Sequence, residues 1–599
     1  MQPHARTWLA CALCSFALRA GPLVKRPAPT SSRKLAATSP LLRSLSLRDR
    51  IAQLIIVRGY GDYPPSDNRE YERFNHWIKE THVGGFIVAG RIRNGDVIPA
   101  QPFEMAAFIN HEQKIAKVPL LVGSDFERGA SMRVAQTARF PYLMAFGAAH
   151  DVEAAKELGA ATAREARALG VNWVFAPDAD VNNNPDNPII NTRSFGEDPQ
   201  AVAANVAAFI DGAHADPGSY VLLSAKHFPG HGDTAEDSHM QLARLDQPKE
   251  RIESLELVPF RAAIAHDVDA IMTAHLAVPA FEPEQKPATV SQNVLTTLLR
   301  EELGFKGLVV TDAMDMQAVT NLYSPGEAAV RAIEAGADVL LMPTDPDACV
   351  SALFKAVATK QIPIARINAS VLKVLAAKQR VGLFRKRFVN LDQLSDDLEE
   401  QKAEELAQSV ADRAFTIVKD EKHLFPMPAS EGSCVVVMSE GDFSTRGQIF
   451  VHALQSKAGP LTVYVAHASM PESLLADFAT DVTHCKQVYV AAFITVGANR
   501  GNVALQGGFG GFLKSLIAGP APVALISFGS PYLLRDFPEV AAYATTFSVA
   551  STSELAAAKA VLGEMAVTGK LPVSIPPVAK IGDGLTVPAR GKAASNGSE

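Results

Sequence analysis

Residues 226–239 read KHFPGHGDTAEDSH. Within fourteen residues they hold three histidines, a lysine, a glutamate and two aspartates, set around two glycines and a proline. That is more ionisable chemistry than a connecting loop needs. Three chemistries compete for it. His227, His231, Asp233, Asp237 and His239 could supply zinc ligands, since imidazole and carboxylate are groups that zinc takes. Cationic Lys226 beside them, and the lack of a helical His-x-x-x-His arrangement, weigh against that set without closing it. Asp237, Ser238 and His239 invite a nucleophilic serine. In an extended segment, however, Ser238 points away from its two neighbours, so no relay assembles from these three. The third chemistry is a proton-transfer pair. Asp237 can accept a hydrogen bond from one ring nitrogen of His239, which fixes the tautomer and leaves the other nitrogen for proton transfer. Such a group contributes about 10²–10⁴-fold in rate when it meets a leaving group. It needs a partner across the site, and Asp312 suits: a carboxylate at a strand end, able to attack carbon. The plainer alternative is that Asp237 and His239 only pin down a loop.

The elements that must position these groups are visible from about residue 45. Short apolar runs alternate with amphipathic stretches. The runs are QLIIV (53–57), GFIVA (85–89), PLLVG (119–123), NWVFA (172–176), YVLLSA (220–225), AIMTA (270–274), GLVVT (307–311) and DVLLM (338–342). Each is apolar on both faces, as buried parallel strands are. Between them lie helices: REYERFNHWIKE puts Tyr71, Phe74 and Trp77 on one stripe, and DVEAAKELGAATAREARALG ends at Gly170, a C-terminal cap. Eight β-then-α units in a row favour a closed (β/α)8 barrel over a doubly wound open sheet. In such a barrel the working residues follow strand ends on one face. Asp125 follows strand three, PDADVNNNPDNPIINTRSFGEDP strand four, Lys226 and His227 strand five, His275 strand six and Asp312 strand seven. Loops begin wherever strands end, which accounts for one or two polar positions but not for this set.

The fold class expected is therefore α/β: a TIM-type barrel over 41–385, a linker helix over 386–410, and a smaller α/β sandwich domain over 411–586. The second domain rests on four strand-like runs, CVVVM, TVYVA, QVYVAAF and PVALISF, with helical SLLADFATDV and SELAAAKAVLGEMA. GGFGG lacks a strand at the right spacing before it, so it reads as structural rather than phosphate-binding. Residues 1–40 read as a signal-like segment and flexible linker, with Arg6 ahead of an apolar run from Trp8 to Leu18. That run points to export, periplasmic or extracellular, with the cytoplasm as the alternative, and it is too short for a stable membrane span. The tail over 587–599 is disordered by composition. Acidic and basic residues, 64 and 57, are interspersed without a basic block, which argues against nucleic acid as a partner. Five cysteines in 599 residues exclude a disulfide-built scaffold, and their spacing makes no metal-ligand pattern. Nothing in the chain marks an oligomeric state.

With these residues in view, KHFPGHGDTAEDSH closely resembles the signature of the β-N-acetylglucosaminidase branch of glycoside hydrolase family 3. LRDRIAQLIIV, FAPDADVNNNPDNPIINTRSFGEDP, IMTAHLAVPAF and ELGFKGLVVTDAMDM resemble other family segments in order and spacing, over residues 45–385. The resemblance implies a retaining mechanism. Asp312 matches the nucleophile, His239 backed by Asp237 the general acid/base, and Asp125, Arg193, Lys226 and His227 the residues that hold sugar hydroxyls. It implies a substrate ending in β-linked N-acetylglucosamine, from peptidoglycan or chitin, and no metal or organic cofactor. Arg193 could instead serve as an ion-pair partner for Glu197 or Asp198. GSDFERGASMR departs from the family, with Phe126 and Ala130 where many members carry Gln and Gly. A β-glucosidase, a phosphate-using relative and a non-catalytic sugar-binding barrel are the alternatives.

Overall fold

The computed structural model describes residues 40–590 except 66, 94–95, 399–400, 428–431, 460 and 496–502. The signal-like run of residues 8–18 and the tail beyond 590 lie outside them. Eight parallel strands form one sheet: β1 (Ile55–Gly59), β2 (Gly85–Val88), β3 (Leu121–Ser124), β4 (Trp173–Val174), β5 (Leu222–Phe228), β6 (Ala270–Thr273), β7 (Leu308–Thr311) and β8 (Leu340–Leu341). From β1 to β7 each pairs in parallel with the next, and β8 pairs with β1. The last seam, between β7 and β8, is made by a bridge between Val310 and Val339 and by the Thr311 N–H donating to the Val339 carbonyl at 3.0 Å. The sheet is thus a (β/α)8 barrel. Seven of the eight strands are buried at every residue, the exception being exposed Arg58 in β1, which explains why they read as continuous apolar runs.

Local signals place the helices. In Val152–Leu169 the Asp151 side chain accepts from the Ala154 N–H, and Gly170 closes the helix at φ +88°, a conformation that favours glycine. An added Cβ there would meet Val389 at 2.8 Å. The aromatic stripe is split: Arg69–His76 is α-helical and Trp77–Thr81 continues it as a wider π-turn.

The second sheet has six strands: β9 (Thr416–Asp420), β10 (Ser433–Ser439), β11 (Thr462–His467), β12 (Gln487–Ile494), β13 (Val523–Gly529) and β14 (Ala542–Thr545). Their order is β9-β14-β13-β12-β10-β11, parallel except for β9 against β14. Helices cover both faces, with a separate apolar cluster under each. Two of the six strands differ from the sequence reading. The helix of the connecting stretch, Gln401–Ala414, stops before Phe415-Thr416-Ile417-Val418, where β-branched residues favour the strand β9. β14, Ala-Tyr-Ala-Thr, is too small-sided to stand out. A disulfide joins Cys434 of β10 to Cys485 just before β12. Met144, Ala145 and Ala148 of the barrel helix Leu143–Ala149 belong to one of the second domain's clusters, so the two sheets share a packed boundary. No described helix is long and apolar enough to cross a membrane.

Candidate active site

Because all eight strands are parallel, the residues that follow them meet at one mouth. Asp125 directly follows β3, Asp178 and Asp180 lie on the loop after β4, and Asp312 directly follows β7. Lys226 and His227 close β5 itself. Neighbours on a strand face opposite sides, yet both line the same cleft. The pairing of β5 with β6 slips between Ala225 and Phe228, and a break of that kind re-aims side chains. The cleft is lined by Asp125, Arg193, Lys226, His227, His239 and Asp312 together, and holds about 960 Å³.

A lattice of opposite charges sets the shape of one wall. Lys226 Nζ lies 3.1 Å from Asp125 and 2.7 Å from Glu127. Arg193 donates twice to Glu127, at 3.0 and 2.7 Å, and sits 3.5 Å from Asp178. Arg133 reaches the other Asp125 oxygen at 3.2 Å. Burial alone would raise the Asp125 and Glu127 carboxyls; the cations around them outweigh it and hold both below the usual range. Burial would likewise lower Lys226, but Glu127 and Asp125 keep it raised and charged. Asp178 is the exception. Burial raises it well above the ordinary value, and neither of its carboxylate oxygens has a hydrogen-bond partner. Asp180 holds His227, accepting from its backbone N–H at 3.2 Å and facing its Nδ1 at 2.8 Å.

Asp312 and His239 line the same cleft. The His239 Nδ1 lies 3.0 Å from Asp237 Oδ1, which also accepts the His239 backbone N–H at 2.8 Å. Asp237 is 2 % exposed and His239 30 %, so the carboxylate is the buried anchor and the ring edge opens to the cleft. The segment is a turn rather than the extended run expected, and it is the aspartate closing onto the backbone two residues on that brings the ring into reach. The Asp312 Oδ1 accepts the Ala313 N–H at 2.7 Å. Burial would raise its carboxyl, but His227, His275 and His239 nearby lower it to about 2.

Two of the alternatives weighed from the sequence do not assemble. The five residues weighed as zinc ligands are not gathered: His231 spends its ring nitrogens on Thr234 (2.8 Å) and Ser238 (2.9 Å). Among the described residues the compact groups of ligand-type side chains are Asp178–Asp180–His227 and Cys434–His484–Cys485, and in the second the two sulfurs are bonded to each other. Arg193 pairs with neither Glu197 nor Asp198. Glu197 reaches into the second domain, taking the Ser574 N–H at 2.7 Å and its hydroxyl at 2.6 Å, while Asp198 caps the helix Pro199–Ala213.

The family model described as the Glycosyl hydrolase family 3 N terminal domain matches residues 46–377. The chain belongs to glycoside hydrolase family 3. It is similar to a beta-N-acetylglucosaminidase/beta-glucosidase of Cellulomonas fimi, 28 % identical over 521 residues that make up 83 % of this chain and 88 % of that one. It is similar to a beta-hexosaminidase of Xylella fastidiosa (strain 9a5c), 37 % identical over 273 residues, 44 % of this chain and 78 % of that one. Among solved structures, a family 3 beta-N-acetylglucosaminidase from Paenibacillus sp. str. FPU-7 is 33 % identical with a TM-score of 0.78, covering 88 % of this chain and 98 % of that one.

In this family 3 protein the sequence reading missed six residues of the site. Glu127, two residues past Asp125, is the acid that knits Lys226 to Arg193. Asp178 and Asp180 alternate in PDAD, a spacing that hinted at a shared face. The second domain lines the cleft with Glu440, Arg446 and Thr495, the Thr495 hydroxyl donating to Glu440 at 2.9 Å. These follow β10 and β12, the neighbours at which that sheet reverses its strand order, and crevices at such points are where open α/β sheets bind ligands. Glu127→Gln is expected to lower kcat/KM by about 10²-fold, because Lys226 and Arg193 lose the anion that sets their spacing. Steady-state kinetics check it; an unchanged kcat/KM would leave Glu127 without a role in the site.

Proposed function

We propose that the protein is a retaining exo-β-N-acetylglucosaminidase. The observation that carries it is the pairing of one buried carboxylate with one imidazole, Asp237 with His239, in the same cleft as the ionised Asp312. The named relatives support the substrate class. Asp125, Arg193, Lys226 and His227 hold the hydroxyls of the terminal sugar: guanidinium and ammonium donate, and the carboxylate accepts. Asp312 attacks the anomeric carbon as its bond to the leaving oxygen breaks. His239, as imidazolium, passes a proton to that oxygen, and Asp237 stabilises the cationic ring from its other side. In the second displacement a water gives its proton to His239 and attacks the same carbon, which releases Asp312. Two inversions return the β-anomer. Neither displacement needs a metal or organic cofactor. The glycan is a peptidoglycan fragment or a chitin-derived oligosaccharide.

The test compares hydrolysis of 4-methylumbelliferyl β-N-acetylglucosaminide with that of the β-glucoside. The expected result is a clear kcat/KM preference for the N-acetylated substrate. Equal or reversed preference would favour the β-glucosidase reading. Binding of N-acetylglucosamine without turnover of either would make the protein a sugar-binding barrel.

A further inference from the structure

Beside the cleft lies a second cavity of about 240 Å³. The two share Arg58, Tyr60, Asp315 and Met342 in their linings, and an Arg58–Asp315 ion pair of 2.5 Å stands at the shared rim. Behind the rim the side cavity is lined by rings: Tyr60, Tyr71, Phe74, Trp77 and Phe108. Phe74 and Phe108 are buried core, but Tyr60, Tyr71 and Trp77 are only partly covered. The Arg91 guanidinium lies over the Tyr60 ring at 4.3 Å and is tethered by Asp62 and Glu70. Rings beside paired charges suit a pyranose, whose C–H faces are apolar and whose edges carry hydroxyls.

The position of the cavity says which ring that is. The groups proposed to hold the terminal sugar come from β3, β4 and β5 and the loops after them. The side cavity lies on the opposite arc of the barrel, after β1 and β8, with Asp315 three residues beyond Asp312. The Gln317 N–H reaches the His239 carbonyl at 3.4 Å, so the loop bearing the imidazole docks on the turn that forms the rim. A sugar held by the β3–β5 wall, with its anomeric carbon at Asp312, directs its leaving group toward this arc. We infer that the side cavity is a leaving-group subsite, taking the next sugar ring of the oligosaccharide against Tyr60 and Trp77 with its hydroxyls at the Arg58–Asp315 pair. The inference rests on the function proposed above.

The test uses the full chain, with methyl β-N-acetylglucosaminide, whose leaving group has no ring, and with chitobiose and chitotriose. Trp77→Ala is expected to raise KM for both oligosaccharides about tenfold, the equivalent of ~1.4 kcal/mol, while the methyl glycoside changes less than about twofold. Trp77→Phe, which keeps a ring face, should retain most of the oligosaccharide affinity and guards against loss of fold. Equal losses on all three substrates, or none on any, would overturn the subsite. If the wild-type protein turns over no N-acetylglucosaminide, including the methyl glycoside, the underlying function fails instead, and the two failures are distinguishable.

Discussion

Replacing Asp312 by alanine is expected to lower kcat for an aryl β-N-acetylglucosaminide by about 10⁴- to 10⁶-fold, the range in which loss of a covalent nucleophile acts. Its placement argues for the upper part of that range. The residue directly follows β7, and its N–H donates to the Thr273 carbonyl of β6 at 3.1 Å, so its backbone is tied to the barrel wall. One carboxylate oxygen takes the Ala313 N–H, which leaves the other for attack on carbon. Its charge is secured as well: against the effect of burial, three imidazoles lower it to about 2. The nucleophile therefore stays ionised from neutral pH down toward 2, and the acid limb of kcat/KM must belong to another group. Because the folded value lies below that of an ordinary carboxylate, its ionised form also stabilises the fold above the ordinary pKa. That contribution is lost progressively as pH falls from the ordinary carboxylate range through about 2. Azide added to Asp312→Ala should take the vacated space and attack the same carbon, yielding the α-glycosyl azide. Near-normal turnover in the variant would remove Asp312 from this role.

How far the sequence shows this site follows from what each feature depends on. The eight barrel strands are legible because each is buried on both faces, so composition alone marks them. Asp125, Lys226, His227 and Asp312 are legible because parallel strands fix where functional residues must fall. Glu127 is not, because its meaning lies in Arg193, sixty-six positions away, and in Lys226 beyond that. The partners named for Arg193 from nearby sequence, Glu197 and Asp198, are committed to other contacts. The Asp237–His239 contact was expected from an extended chain and arises from a turn instead; the i, i+2 spacing serves both geometries. Glu440, Arg446 and Thr495 left no trace at all. Their place in the cleft depends on how the second sheet packs against the barrel, through groups such as Asn182, whose amide donates to the Tyr532 hydroxyl at 2.8 Å.

His239 offers the sharper mechanistic measurement, since its effect should depend on the leaving group. For an alkyl or sugar leaving group, His239→Ala is expected to lower kcat/KM by about 10³-fold, within the usual range for general acid catalysis. For a 2,4-dinitrophenyl glycoside the loss should be under about tenfold, because that oxygen departs as a stable anion and needs no proton. kcat/KM is the parameter to follow: it reports the first displacement, where the proton is given, and not the second, where His239 takes one from water. Asp237→Asn should give a smaller loss with the same dependence. An amide oxygen still accepts from Nδ1 and keeps the ring in place, but the anion that stabilises the imidazolium is gone. A structural histidine would behave otherwise. The His239 carbonyl takes the Gln317 N–H whatever the side chain, so the loop keeps that backbone tie in the alanine variant. Equal losses on both classes of leaving group would therefore mean that the ring only shapes the loop, and the proton would have to come from another group in the cleft.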